Sequence, residues 1–152
     1  MIKKILIGFA ILFVLSQAFQ PTKNKGNTNS ANDITTVYTV PENVMAILKK
    51  SCYDCHSNHT EYPWYDHITP VNWWVANHIK EGKFELNFNE FGSYSTKKQL
   101  KKMEEIGETV EKGQMPLSSY LVMHGDAALD SDQKELLVSW SKKTASEIGK
   151  DR

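Results

Sequence analysis

From Pro41 onward the chain repeats one pattern, apolar residues three and four apart, interrupted by polar or glycine-bearing joints. Val44, Ile47 and Leu48 form the first such face, and Pro41 suits the opening position of the helix that carries it. That helix leads straight into Cys52. Thr69 followed by Pro70 predicts the start of a second helix, with Val71, Trp74, Val75, His78 and Ile79 as its inward stripe and Gly82 as its stop. Ser95 caps a third, which turns Leu100, Met103, Ile106 and Val110 to one side and ends at Gly113. Asp130 or Ser131 caps the last, with Leu136, Leu137, Trp140 and Ile148 inward. Residues 83–94 alternate weakly and read as a loop. The prediction is an all-α fold of four main helices joined by long, aromatic-rich loops. Loops of that length imply that something besides polypeptide fills the middle.

The N-terminal pattern is different. Lys3 and Lys4 precede an unbroken apolar or small run, Ile5 to Leu15, and Ser16 and Ala18 are small residues placed as in a leader cleavage site. The run falls short of the ~20 apolar residues that span a bilayer comfortably. Residues 1–18 therefore read as a signal peptide, with an uncleaved anchor as the alternative. Residues 19–39, rich in Asn, Gly, Ser and Thr between Thr22 and Asp33, read as a flexible polar linker, and residues 40–150 as the folded domain. A periplasmic or exported chain is expected, tethered to the inner membrane only if the first segment is retained.

Charge narrows the choice of partner. The chain carries 18 positive and 18 negative side chains, so there is no excess to neutralise phosphates and nucleic acid is not expected. The only arginine is Arg152, which leaves no guanidinium for the core.

The chemistry concentrates in "SCYDCHSNH", residues 51–59, which holds the only two cysteines. Cys52, Cys55 and His56 form C-x-x-C-H, the attachment signature of a c-type haem. Cysteines three apart on one helical turn can reach two vinyl groups on one porphyrin edge, and the next residue then offers an imidazole to the iron. Other readings fit less well. A thioredoxin-like redox pair needs a βαβ context that is missing here. A structural zinc site needs four ligands, so His59 or His67 would have to complete the set. A disulfide over so short a loop contributes little.

A second iron ligand is sought downstream in "KGQMPLSSY". Met115 follows a helix-ending glycine and precedes the stiffening Pro116, and a thioether paired with histidine raises the reduction potential of haem iron. Met115 is the expected sixth ligand and His78 the alternative. His124 reads as a loop hydrogen-bonder, His59 and His67 as near-surface. The aromatics of Tyr62–His67 and Trp73 are candidates to wall the cofactor.

Helix, C-x-x-C-H, long middle, "QMP" loop and terminal helix is the order of small class I cytochromes c. More closely, "CYDCHSNHTEYPWYDHITPVNWWVANHIKEGKFELNF", "KGQMPLSSYLVMHGDAALDSDQ" and the Trp140 helix resemble the haem-binding domain family of exported bacterial proteins. The resemblance implies a cytochrome c-like helical domain wrapped around one covalent haem c. The expected function is single-electron transfer with redox partner proteins that the sequence does not identify. The alternative is a haem enzyme or sensor with an open iron position that handles peroxide or a small gas.

Overall fold

A computed structural model describes residues 1–150 of the chain; Arg152 lies outside the described residues. The fold is all-α. Its helices are α1 (Ile2–Ser16), α2 (Ile34–Val37), α3 (Glu42–Ser51), α4 (Tyr53–His56), α5 (Val71–Glu85), α6 (Thr96–Glu111), α7 (Ser118–Leu121) and α8 (Ser131–Lys150). Short 3₁₀ turns cover Trp64–His67, Phe88–Ser93 and Gly125–Ala127. Among the described residues β-pairing is limited to one bridge, Lys25 with His59.

The main core joins α3, α6 and α8. Val44, Ile47 and Leu48 meet Met103 and Val110 of α6 and Leu137, Trp140 and Ile148 of α8, all buried. Burying each such side chain is worth about 1.5–3 kcal/mol relative to leaving it exposed. The periodicity of each sequence stripe is thus the source of the bundle. The caps hold too: Ser95 Oγ accepts the Lys98 N–H, and Asp130 and Gln133 cap one another reciprocally. Gly113 ends α6 at φ +65°, a conformation that suits a residue without Cβ. α6 and α8 approach closely where a Cβ on Gly107 would sit 2.7 Å from Ser141 Oγ.

Three expectations change. Gly82 does not end α5, which runs on to Glu85. An internal glycine costs a helix only about 1 kcal/mol, so packing decides where the helix stops. Residues 83–94 are not one loop: the first three complete α5, and Phe88–Ser93 is a 3₁₀ turn whose Phe88 and Phe91 are buried.

The polar segment expected to be a flexible linker is built into the fold. Ile34 is fully buried in the core, and Asp33 caps α2 while accepting from Asn89 Nδ2 at 2.7 Å. Gly26 N–H donates to the Asn58 carbonyl at 2.7 Å, and Asn24 Nδ2 donates to the Ser57 carbonyl at 3.0 Å. The amides that look like linker composition satisfy buried backbone groups here.

Candidate functional site

The site is built on the break between α3 and α4. Cys52 ends α3 at φ −130° and ψ −39°, and its carbonyl accepts the N–H groups of Cys55 at 3.2 Å and His56 at 2.9 Å. One turn therefore presents two thiols and an imidazole together, as the spacing predicts. Neither thiol is in a disulfide.

His56 is oriented by backbone. Its Nδ1 lies 3.0 Å from the Leu86 carbonyl, which can only accept, so Nδ1 carries the proton and Nε2 keeps its lone pair. A histidine that donates its second nitrogen to a carbonyl is in the state required of an iron or zinc ligand. Burial pushes the His56 pKa down, outweighing the opposing hydrogen bonds to the Leu86 and Gly82 carbonyls. The ring also meets Phe88 edge-on at 6.4 Å.

The thiols are held neutral. Burial, reinforced by the nearby Cys55, raises Cys52 to about 12, and burial with the charge of Asp54 raises Cys55 to about 11. Neither is poised as a thiolate at neutral pH, which weighs against a redox pair.

Met115 comes to the same place from the other side. The Thr109 carbonyl accepts the N–H groups of Gln114 at 2.8 Å and Met115 at 3.3 Å, so the loop is pinned to the last turn of α6. Cys52, Cys55, His56, Met115 and His78 all border one cavity of about 330 Å³, closed on other sides by Gly82, Pro116 and Tyr120. A second lobe of about 380 Å³ shares Cys52, His56 and Met115 and is walled by Leu48, Leu86, Phe88, Ile106 and Leu137. Both volumes fall within the about 300–1,000 Å³ of sites for bound small molecules.

His78 is half-buried rather than core, and its Nδ1 donates to the Trp74 carbonyl one turn back at 2.9 Å. Of the stripe expected to face the core only Ile79 is buried; Val71, Trp74, Val75 and His78 instead line a further cavity of about 280 Å³ that also borders Cys55, with Trp74 47% exposed. The expected aromatic wall is also different. Trp64 is 70% exposed, and Trp73 spends its indole N–H on the Phe19 carbonyl at 2.8 Å. His67 is exposed and His59 sits near the surface beside Glu61. His124 accepts or donates at 2.6 Å with Tyr65 Oη and stacks on Tyr120, a hydrogen-bonder as expected.

Several residues of the site escape sequence reasoning. Asp54, inside the motif, accepts from Tyr120 Oη at 2.8 Å and from the Glu61 N–H at 3.0 Å, tying the turn to α7 and to the following loop. Lys102 is buried at the rim between Glu105 at 2.7 Å and Glu85 at 3.0 Å. Burial opposes its charge, yet the hydrogen bonds and charges of those two carboxylates raise its pKa overall. Gly82 packs directly on the motif, since a Cβ there would stand 2.8 Å from the Cys55 carbonyl oxygen. The only local signal of these roles is a glycine inside an otherwise helical run.

The family described as Haem-binding domain matches residues 11–143. The chain belongs to the haem-binding domain family. The cavity fits that assignment on its own chemistry: an imidazole with a free Nε2 and a thioether border an apolar space with two neutral thiols on its wall. No curated protein and no solved structure matches this haem-binding domain.

Proposed function

We propose that this haem-binding domain is an exported c-type electron carrier. Cys52 and Cys55 would hold one haem through thioethers, and His56 and Met115 would hold its iron. The observation that carries the reading is the convergence of both thiols, the carbonyl-fixed His56 and the loop-pinned Met115 on one cavity. When bound, the haem supplies a one-electron iron couple, whose potential histidine–methionine ligation raises.

The chain's own residues do the remaining work. Leu86 holds the His56 tautomer. Thr109 and Gly113 set the methionine loop, so that a weak sulfur ligand needs little ordering on binding. The Leu48, Leu86, Phe88 and Leu137 wall is apolar, which favours a steady six-coordinate carrier over an open reactive site. Each thiol would add its S–H across one vinyl group, and thiols held neutral by burial fit attachment by a maturation apparatus outside the cytoplasm. The partners are redox proteins in that compartment.

His78 on the same wall favours one second arrangement, histidine on both sides of the iron. Two variants separate them. Met115→Ala in the haem-loaded chain should shift the ferric spectrum toward high spin and lower the potential, while His78→Ala should leave the axial pair intact. A low-spin spectrum that survives Met115→Ala and disappears in His78→Ala would assign both ligands to histidine. A high-spin wild type that binds carbon monoxide would instead point to the enzyme or sensor reading.

A further inference from the structure

α1 exposes every residue from Ile2 to Leu15 except the half-buried Gly8 and gives none to the core. Its exit is nonetheless fastened to the domain. Gln17 grips the backbone of Thr69 from both sides, Nε2 donating to the Thr69 carbonyl at 3.1 Å and Oε1 accepting the Thr69 N–H at 2.9 Å. Gln20 Oε1 accepts from Asn72 Nδ2 at 2.6 Å, and the Phe19 carbonyl accepts from the Trp73 indole. Lys23 then pairs with the buried Asp66. Thr69 and Asn72 are fully buried under this seam. Cleavage after Ala18 would remove Gln17 and strip the Thr69 peptide groups of their partners, and each buried polar group left unpaired costs about 1–3 kcal/mol. The family match also begins at residue 11, inside α1, and so includes the junction.

The surface beside the seam is apolar. Trp64, Ile68, Val71, Trp73 and Trp74 are all more than a third exposed, on and just after the Trp64–His67 turn and at the start of α5, which pack together, with Val71 and Trp74 also lining the cavity of about 280 Å³ beside Cys55. Exposed indoles beside an apolar helix are the pattern of a membrane–water interface. α1 is apolar all round, so it suits immersion rather than lying half-wet on a surface. No helix among the described residues is long and apolar enough to cross a membrane. At 1.5 Å per residue α1 measures about 22 Å, so it reaches the far side of a ~30 Å hydrocarbon layer only with local thinning and with Lys3 and Lys4 snorkelling outward.

We infer that α1 is retained in a lipid bilayer and that the Gln17–Thr69 seam seats the Trp64, Trp73 and Trp74 face against the bilayer surface. This reverses the expectation of a cleaved leader and stands independently of the iron ligands. The test uses the haem-loaded full chain expressed in an exporting bacterium. Its intact mass should include residues 1–18, and a mature chain starting at Phe19 or later would overturn the inference. The chain is then placed in phosphatidylethanolamine–phosphatidylglycerol vesicles doped with a photoactivatable phosphatidylcholine. Crosslinks should map to α1 and to residues 64–74, and crosslinks confined to α1 would refute the docking face. In Gln17→Ala the α1 crosslinks should persist while those at 64–74 are lost; retention of both would refute the role of the seam.

Discussion

Gly82→Ala tests how the fold holds the C-x-x-C-H turn. In an ordinary helix interior the change would stabilise by about 1 kcal/mol, because alanine is the better helix former. Here the new methyl would lie 2.8 Å from the Cys55 carbonyl oxygen, 3.0 Å from Cys55 Cβ and 3.2 Å from its carbonyl carbon. Two of the three are backbone atoms, so no side-chain rotation relieves the contact. α5 or α4 must move by several tenths of an ångström, and overpacking of this kind costs about 1–3 kcal/mol. The net expectation is a loss of roughly 0–2 kcal/mol after the helix-propensity gain, and of about 1–3 kcal/mol relative to an unhindered Gly→Ala change. Because His56 Nδ1 donates to the carbonyl of Leu86 at the end of α5, the shift should also reach the iron ligand. Urea unfolding of the haem-loaded variant should show a lower midpoint with unchanged m, together with a displaced reduction potential. Gly149→Ala, in α8 with nothing within 4 Å of its Cβ, is the control and should be neutral or stabilising. If Gly82→Ala matched that control in both stability and potential, the close packing of α5 on the motif would be refuted.

Acid should dissociate His56 only below the ordinary imidazole range. Its folded pKa is depressed by burial, so the neutral ring contributes stability that is fully present above pH 6.5 and is lost as pH falls through the folded value. A pH titration of the low-spin spectrum should therefore have its midpoint below 6.5, and a midpoint above it would contradict the burial argument. The haem-free chain should lose ordered structure around the cavity. The half-buried Cys52, Ile106 and Met115 would lose a shared apolar partner, and the macrocycle's own buried surface would be worth several kcal/mol at about 25 cal/mol per Å², a large part of a domain's net stability. Circular dichroism that showed a cooperative, native-like melt of that chain would count against it.

The helices and the motif were legible because both are local. The stripes at Val44–Leu48, Leu100–Val110 and Leu136–Ile148 recur at the helical period, and Cys52, Cys55 and His56 are fixed by one turn. What could not be read depends on residues far apart in sequence. Gly82 looks like a stop because nothing local reveals that Cys55 presses on it. Asn24, Asn27 and Asp33 look like linker because their partners, Ser57, Asn58 and Asn89, come 31 or more positions later. The indoles expected to line the site are hydrophobic enough for a core, yet Trp64 and Trp73 lie at the surface beside the end of α1, where composition alone cannot place them.

Covalent attachment at the C-x-x-C-H turn is the central claim, and intact mass under denaturing conditions tests it most directly. The chain matured with a cytochrome c assembly apparatus should carry the added mass of one haem, retained through denaturation and haem staining on a gel. Cys52→Ala with Cys55→Ala should remove both the mass and the stain. A wild-type chain that releases its haem on denaturation, or a double variant that keeps it, would contradict the account.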